Sequence, residues 1–405
     1  MKRYRYKDPS QPIYHYHTTR IVEIPEHTVP KPFLAMWVSN VLNIDLPSLK
    51  DLDAYQKRVQ DMIQTALDFQ LTALFFQVRT TNDAFYASKL NPYSRYLVEK
   101  EGNIPPFDVL RWVIQRVHEA GLEFHAWCNP YRVSMASGPK GYAYLETCDD
   151  LNFAKKYPEH TLMDLNGQLI LNPSHEASKK HIIDSMLEIV RDYPVDGIHF
   201  DDYFYPYAGL DPTHDDAKDY ENRFDRSQSL GDFRRHHVND LIKRLSEAFQ
   251  QERPIRFGIS PFGIYKNKVG DSIGSNTDIK CSQSYDNQYA DALVWVEQGW
   301  IDYIVPQIYW DLGHPIAPFA DVCDFWADLC SRSHVDLYIG HAAYRLGQEG
   351  EYENPEEIND QIRYAAQYPS VKGHVFFTFK SLFDDPVCQT GVKRLNAFIK
   401  GETRT

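Results

Sequence analysis

Eight short apolar runs recur along the chain, each separated from the next by a segment of helical periodicity, and this alternation constrains the fold more than any other feature. The runs cover residues 33–38, 71–78, 122–127, 197–201, 255–260, 302–309, 335–341 and 373–379. Helical segments are predicted over about 52–69, 106–120, 176–192, 227–250, 286–299, 319–333 and 355–368, with a last helix closing near Lys400. The runs are apolar on both faces, as expected of parallel strands covered by helices on either side. Strand–helix alternation repeated eight times predicts an α/β fold, a (β/α)8 TIM barrel with long βα loops and a single domain. The competing architecture is a doubly wound open sheet. It is disfavoured because Trp37-Val38-Ser39-Asn40, after the first run, carries no glycine-rich phosphate loop. Residues 1–31 are polar and read as an arm lying over a barrel of residues 32–401.

Charge and composition narrow the partners. Lys and Arg total 43 against 56 Asp and Glu, a net charge of -13, which argues against nucleic acid, since phosphate binding needs a basic surface. Tyr, Phe and Trp make up 14% of the chain. Aromatic rings stack on the C–H faces of sugars, although a large aromatic core would give the same count. The six cysteines show no C-x-x-C spacing that would suggest zinc or redox chemistry, and no cofactor is expected. No stretch has the length of a membrane span. The basic start, Met-Lys-Arg-Tyr-Arg-Tyr-Lys, is followed by no apolar segment, so a cytoplasmic location is expected, or an exported one if a targeting segment has been removed.

In a barrel of this type the site is built at the C-terminal strand ends, and here those ends are polar and aromatic. They present Trp37, Gln77 and Arg79, His125, Trp127 and Asn129, His199 and Asp201, then Gln307, Tyr309, Trp310 and Asp311, and beyond the seventh strand Tyr344. Such a set suits a polar, ring-bearing ligand such as a poly- or oligosaccharide. Trp37, Tyr309, Trp310 and Tyr344 are candidates for stacking on sugar rings; Arg79, His125, Asn129, His199 and Gln307 are candidates for binding hydroxyl or acetamido groups.

Hydrolysis of a glycosidic bond generally uses two carboxyl groups, one as proton donor and the other as nucleophile or base. Asp201 and Asp202 are the obvious candidates. Neighbouring residues of a strand face opposite ways, which gives the inward direction to Asp201 with His199. Asp311, of the same parity as Gln307 and Tyr309, is then the first choice of partner. Asp202 either completes the pair or supports it from behind, anchoring Arg79 or another cation. Each of these acids could instead serve only as a cap or ion-pair partner. His125, His199 and Asp201 could also begin a metal-dependent hydrolase site, although zinc would need three ligands and an open position, and isolated histidines at strand ends more often hydrogen-bond; no metal is expected. A barrel that binds glycan without cleaving it is a further alternative.

Four stretches carry a family resemblance: His125-Ala-Trp-Cys-Asn-Pro-Tyr-Arg132, Asp196-Gly-Ile-His-Phe-Asp-Asp-Tyr-Phe-Tyr-Pro206, Ile259-Ser-Pro-Phe-Gly-Ile-Tyr265 and Asp302-Tyr-Ile-Val-Pro-Gln-Ile-Tyr-Trp310. Together they resemble the glycosyl hydrolase-like 10 family of bacterial (β/α)8 barrels, over roughly residues 33–385. The resemblance implies a glycosidase acting on a bacterial or complex polysaccharide, with peptidoglycan glycan strands lacking stem peptides as one substrate associated with the family. Members are commonly exported, whereas the basic start here is followed by no apolar segment, so the expectation stays cytoplasmic, or exported if a targeting segment has been removed. The fourth-strand stretch is also distantly similar to the Asp-Gly-x-Asp-x-Asp-x-Glu strand of family 18 chitinases. His199 replaces the first inner Asp and Tyr203, itself a candidate sugar contact, stands in place of the catalytic Glu. The chitinase mechanism does not carry over on that basis.

Overall fold

Hydrogen bonding between neighbours closes the eight apolar runs into one cylinder. The computed structural model describes residues 1–26, 33–135 and 138–402. Its barrel strands, numbered with all others in chain order, are β1 (Phe33–Val38), β2 (Ala73–Arg79), β3 (Glu123–Cys128), β6 (Gly197–Phe200), β7 (Arg256–Ile259), β8 (Tyr303–Ile304), β9 (Asp336–His341) and β10 (Val371–Phe377). They run in the closed order β1-β10-β9-β8-β7-β6-β3-β2, and every pairing around the ring is parallel. The outer helices bury one stripe each. In Leu52–Asp68, Tyr55, Val59, Met62 and Ala66 recur at helical spacing and are all inaccessible, each large apolar side chain contributing roughly 1.5–3 kcal/mol. Asp51 caps that helix by accepting a hydrogen bond from the Ala54 amide at 2.9 Å. Among the described residues no helix is long and apolar enough to cross a membrane.

Two departures from the sequence expectation have clear causes. The sixth run is strand over Tyr303–Ile304 alone, because Pro306 has no amide to donate. Its path still follows β7, with Val305 N donating to Ile259 O at 2.8 Å and Gln307 N to Pro261 O at 3.0 Å. The loop after β3 holds a small antiparallel hairpin, β4 (Thr161–Met163) and β5 (Leu169–Leu171). Asp164 fastens its turn, accepting from the Asn166 and Gln168 amides at 2.8 and 2.7 Å.

The N-terminal residues lie against the outside of the barrel. Ile13, Val22 and Ile24 are buried, and Arg3 pairs with Asp360 at 2.9 Å. The expected boundary between arm and barrel, at residues 31 and 32, lies outside the described residues.

The barrel interior contains a chain of polar groups. Trp37 Nε1–H donates to His199 Nε2 at 3.2 Å, and the Tyr303 hydroxyl lies 3.3 Å from His199 Nδ1 and 2.9 Å from His125 Nδ1. His125 Nε2 is 3.0 Å from Glu123. One assignment of tautomers satisfies all four contacts: His199 donates from Nδ1, Tyr303 donates to His125, and His125 donates to Glu123. Burial holds both histidines below their ordinary pKa, and so neutral. Glycines make room for the chain. A Cβ at Gly258 would stand 2.1 Å from the Tyr303 ring, and one at Gly197 2.3 Å from His125 Nδ1. Gly258→Ala is therefore expected to destabilise the protein by about 2 kcal/mol or more, the scale of an overpacked core. A urea midpoint unchanged from wild type would contradict this packing.

Candidate functional site

The C-terminal strand ends surround a cavity of about 510 Å³, within the range of about 300–1,000 Å³ usual for small-molecule sites. Asp201 and Asp202 lie on one side. Trp37, Tyr309, Trp310, Tyr344 and Phe377 supply aromatic surface elsewhere, and Arg132 and Arg345 supply positive charge.

Asp201 is 4% exposed and held from the end of β3. Trp127 Nε1–H donates to Oδ2 at 3.1 Å, and Asn129 Nδ2 lies 3.0 Å from both carboxyl oxygens. The backbone amide of Tyr203 adds a contact at 3.3 Å to Oδ1. Trp127 and Asn129 reach the same carboxyl because they sit two residues apart at the end of one strand. Burial raises the Asp201 pKa, opposed by Arg132 and by these donors. Asp202 accepts a hydrogen bond from the Tyr207 hydroxyl. Its pKa rises to about 6, from burial first and the neighbouring Asp201 charge second, with the Tyr207 and Gln307 hydrogen bonds pulling it down. Both carboxyls thus bind a proton more readily than exposed ones, and the Asp201 charge favours the protonated form of Asp202.

Strand alternation places Asp202 behind Asp201, but it ends with β6 at Phe200, and both residues line the cavity. Asp202 does not anchor Arg79. A bulge between Gln77 and Arg79 turns Arg79 away from the cavity, where its guanidinium donates to Asn91 at 2.6 Å and Asn82 at 2.7 Å. Asp311 also lies outside the cavity lining. Tight turns after Pro306, with Ile308 N donating to Pro306 O and Tyr309 N to Gln307 O, break the parity that would have aimed it inward. It is buried near Glu351 and Arg345, and burial followed by Glu351 raises its pKa. Its field, after burial, helps raise Glu357 to about 8.

The other sequence candidates separate into those lining the cavity and those supporting it. Trp37, Tyr203, Gln307, Tyr309, Trp310 and Tyr344 line it. Asn129 is fully buried beneath, holding Asp201. His125 and His199 belong to the interior chain, with Ser260 Oγ also 3.0 Å from His199 Nε2. Their nitrogens are thereby engaged, and among the described residues no three His, Cys, Asp or Glu stand together as a metal-holding group. Tyr207 and Phe377, outside the residues expected at the site, also line the cavity; the one sequence signal for Tyr207 is the density of tyrosines following Asp202.

A second cavity of about 340 Å³ shares Arg132, Met135, Tyr203 and Tyr207 with the first. The β4–β5 turn forms its far side through Asp164, Asn166 and Gln168. The Arg132 guanidinium lies over the Tyr203 ring at 4.0 Å, a cation–π contact on the wall between the two.

The profile of the family described as Glycosyl hydrolase-like 10 matches residues 32–356. Glycosyl hydrolase YngK of Bacillus subtilis (strain 168) is 36% identical over 360 residues, 87% of this chain and 69% of that protein. Glycosyl hydrolase DigH of Escherichia coli (strain K12) is 29% identical over 386 residues, 91% of this chain and 87% of that protein. Among solved structures, alpha-L-fucosidase isoenzyme 2 from Paenibacillus thiaminolyticus superposes with a TM-score of 0.52 at 11% identity, covering 92% of this chain and 49% of that one. That likeness concerns the barrel fold alone.

The electrostatics of the pair are measurable without a substrate. Carbon-13 NMR of the Asp carboxyls is expected to show Asp202 titrating at about 6, and Asp201→Asn, by removing a neighbouring negative charge, is expected to lower that value. An Asp202 titration that Asp201→Asn leaves in place would contradict the coupling.

Proposed function

The chain belongs to the glycosyl hydrolase-like 10 family, and from that premise we propose that it hydrolyses O-glycosidic bonds in a bacterial polysaccharide, with Asp201 and Asp202 as its catalytic carboxyl groups. The observation that carries this reading is the placement of two adjacent buried carboxyls on the wall of one aromatic cavity, Asp201 held by Trp127 and Asn129 and Asp202 by the Tyr207 hydroxyl. Asp202, with a pKa of about 6, is suited to protonate the departing sugar oxygen near neutrality, where a general acid works best. Asp201, fixed by Trp127 and Asn129, supplies negative charge to the positive sugar centre that forms as the bond breaks. Trp37, Tyr309, Trp310 and Tyr344 offer faces for sugar rings.

Within that class, peptidoglycan glycan strands are the proposed substrate. The family resemblance of the four sequence motifs favours them. So do Arg132 and Arg345 in the cavity wall, since strands lacking peptides expose a carboxylate on every second sugar and guanidinium groups pair well with carboxylates. The adjoining cavity beyond Tyr203 and Tyr207 gives room for a polymer to continue past the cleaved bond.

Purified glycan strands freed of peptide test the reading by release of reducing ends. Asp202→Asn and Asp201→Asn are each expected to lower turnover by roughly a hundredfold or more, the scale of losing a general acid or an electrostatic stabiliser. Asp311→Asn is expected to stay within about threefold of wild type, since a substitution away from the reacting atoms removes no transition-state contact. Saturable binding of the strands by the wild type with no reducing ends released would replace this reading with a glycan-binding barrel. For the wild type, kcat/KM is expected to fall above about pH 6 as Asp202 loses its proton. Tyr207→Phe, which removes a hydrogen bond that lowers the Asp202 pKa, is expected to move that limb to higher pH.

A further inference from the structure

The two usual routes of glycoside hydrolysis place carboxyl groups on both sides of the scissile bond, about 5 Å apart for a protein nucleophile and about 6.5–9.5 Å apart when water must fit between them. This cavity lacks that arrangement. Asp201 and Asp202 are consecutive and issue from the end of one strand, β6. Elsewhere the wall presents Trp37, Tyr309, Trp310, Phe377 and Arg345, and among the described residues that line the cavity no third carboxyl occurs. The remaining stretches, residues 27–32, 136–137 and 403–405, contain no Asp or Glu. The acid therefore has a partner beside it and none across from it.

We propose that the nucleophile is the substrate's own 2-acetamido group, so that the site cleaves the bond of a 2-acetamido-2-deoxy sugar whose acetamido lies trans to the departing oxygen, with Asp201 orienting the acetamido and Asp202 acting as acid and then base. This rests on the glycoside hydrolase reading above and adds the chemistry of the cleaved sugar to it. The Asp201 carboxylate has about four lone-pair positions. The N–H groups of Trp127, Asn129 and Tyr203 engage both oxygens from the protein side, Asn129 Nδ2 lying 3.0 Å from each, and the carboxyl lines the cavity, where an N–H of the substrate can share it. A carboxylate held that rigidly is suited to orient an amide and to balance the charge it gains.

In the first step the acetamido carbonyl oxygen bonds to C1 as the bond from C1 to the leaving oxygen breaks. Asp202 gives its proton to that oxygen, and the substrate N–H, now part of a positively charged oxazolinium ring, donates to Asp201. In the second step water adds to C1 and loses a proton to Asp202, while the C1–O bond of the ring breaks and restores the acetamido. One water is consumed, both carboxyls return to their starting states, and the configuration at C1 is retained. Placing the acid next to the orienting carboxylate is what this chemistry asks of a protein, because the nucleophile arrives with the sugar.

The test uses the full chain and peptide-free peptidoglycan glycan strands that have been de-N-acetylated and then re-acylated on nitrogen with either acetyl or trifluoroacetyl groups. Fluorine weakens the carbonyl oxygen as a nucleophile and leaves the size and neutrality of the group nearly unchanged. The acetyl strands should be cut with the newly formed reducing end in the retained configuration by NMR, and the trifluoroacetyl strands on the order of a hundredfold more slowly, the scale on which an activated participant contributes. Equal rates on the two strands, or an inverted anomer, would overturn the proposal and leave the glycoside hydrolase reading standing. Failure to cut either strand would overturn the peptidoglycan reading and this proposal together.

Discussion

Asp201 and Asp202 are side by side at the end of β6 with only 4% and 6% of their surface exposed, and much of the site follows from the cost of that placement. An ionised carboxylate taken out of water costs several kcal/mol unless its lone pairs are satisfied. Asp201 meets the requirement through three N–H donors, each charge-assisted contact offsetting roughly 1.5–3 kcal/mol. Asp202 meets it by holding a proton more readily, since two adjacent carboxylates cannot both ionise cheaply. The two residues are chemically identical and differ in what holds them, three N–H donors for Asp201 and the Tyr207 hydroxyl for Asp202.

The interior of the barrel supports this division. Trp37 forms part of the cavity wall with one edge and donates with the other to His199, which leads through Tyr303 and His125 to Glu123. A ring tied into such a chain keeps its orientation when a ligand arrives, which limits the ordering cost of binding. The glycines at positions 197 and 258 are what allow imidazole and phenol rings to occupy the barrel centre. The polar chain and the aromatic cavity are thus continuous parts of one packed interior.

The fold was legible because apolar runs and helical stripes are local, repeated signals, and the run at residues 33–38 coincides with β1. The site was legible in proportion to how far strand alternation extends. Trp127 and Asn129 share a direction, as spacing two implies, and both reach Asp201. Alternation stops at Phe200, so it says nothing reliable about Asp202, and it stops again at Pro306, so it misdirects at Asp311. The bulge beside Arg79 inserts an irregularity that periodicity carries no trace of. Tyr207 reaches Asp202 through a loop conformation with no pattern of its own, and the β4–β5 turn beside the second cavity is too short to stand out as strands. The similarity to a chitinase strand directs attention to Tyr203, where a Glu is missing. One position earlier the end of the strand lets the Asp202 carboxyl turn into the cavity.

The central claim is that Asp202 delivers the proton while Asp201 supplies the charge beside it. A crystal structure of Asp202→Asn holding an intact peptide-free glycan oligosaccharide tests this most directly. The account predicts a glycosidic oxygen within hydrogen-bond reach, about 3 Å, of the side-chain amide that the substitution introduces at position 202, with the adjoining sugar's C1 beside Asp201. An oligosaccharide bound with every glycosidic oxygen far from position 202, or lying against Asp311 outside the cavity, would contradict it.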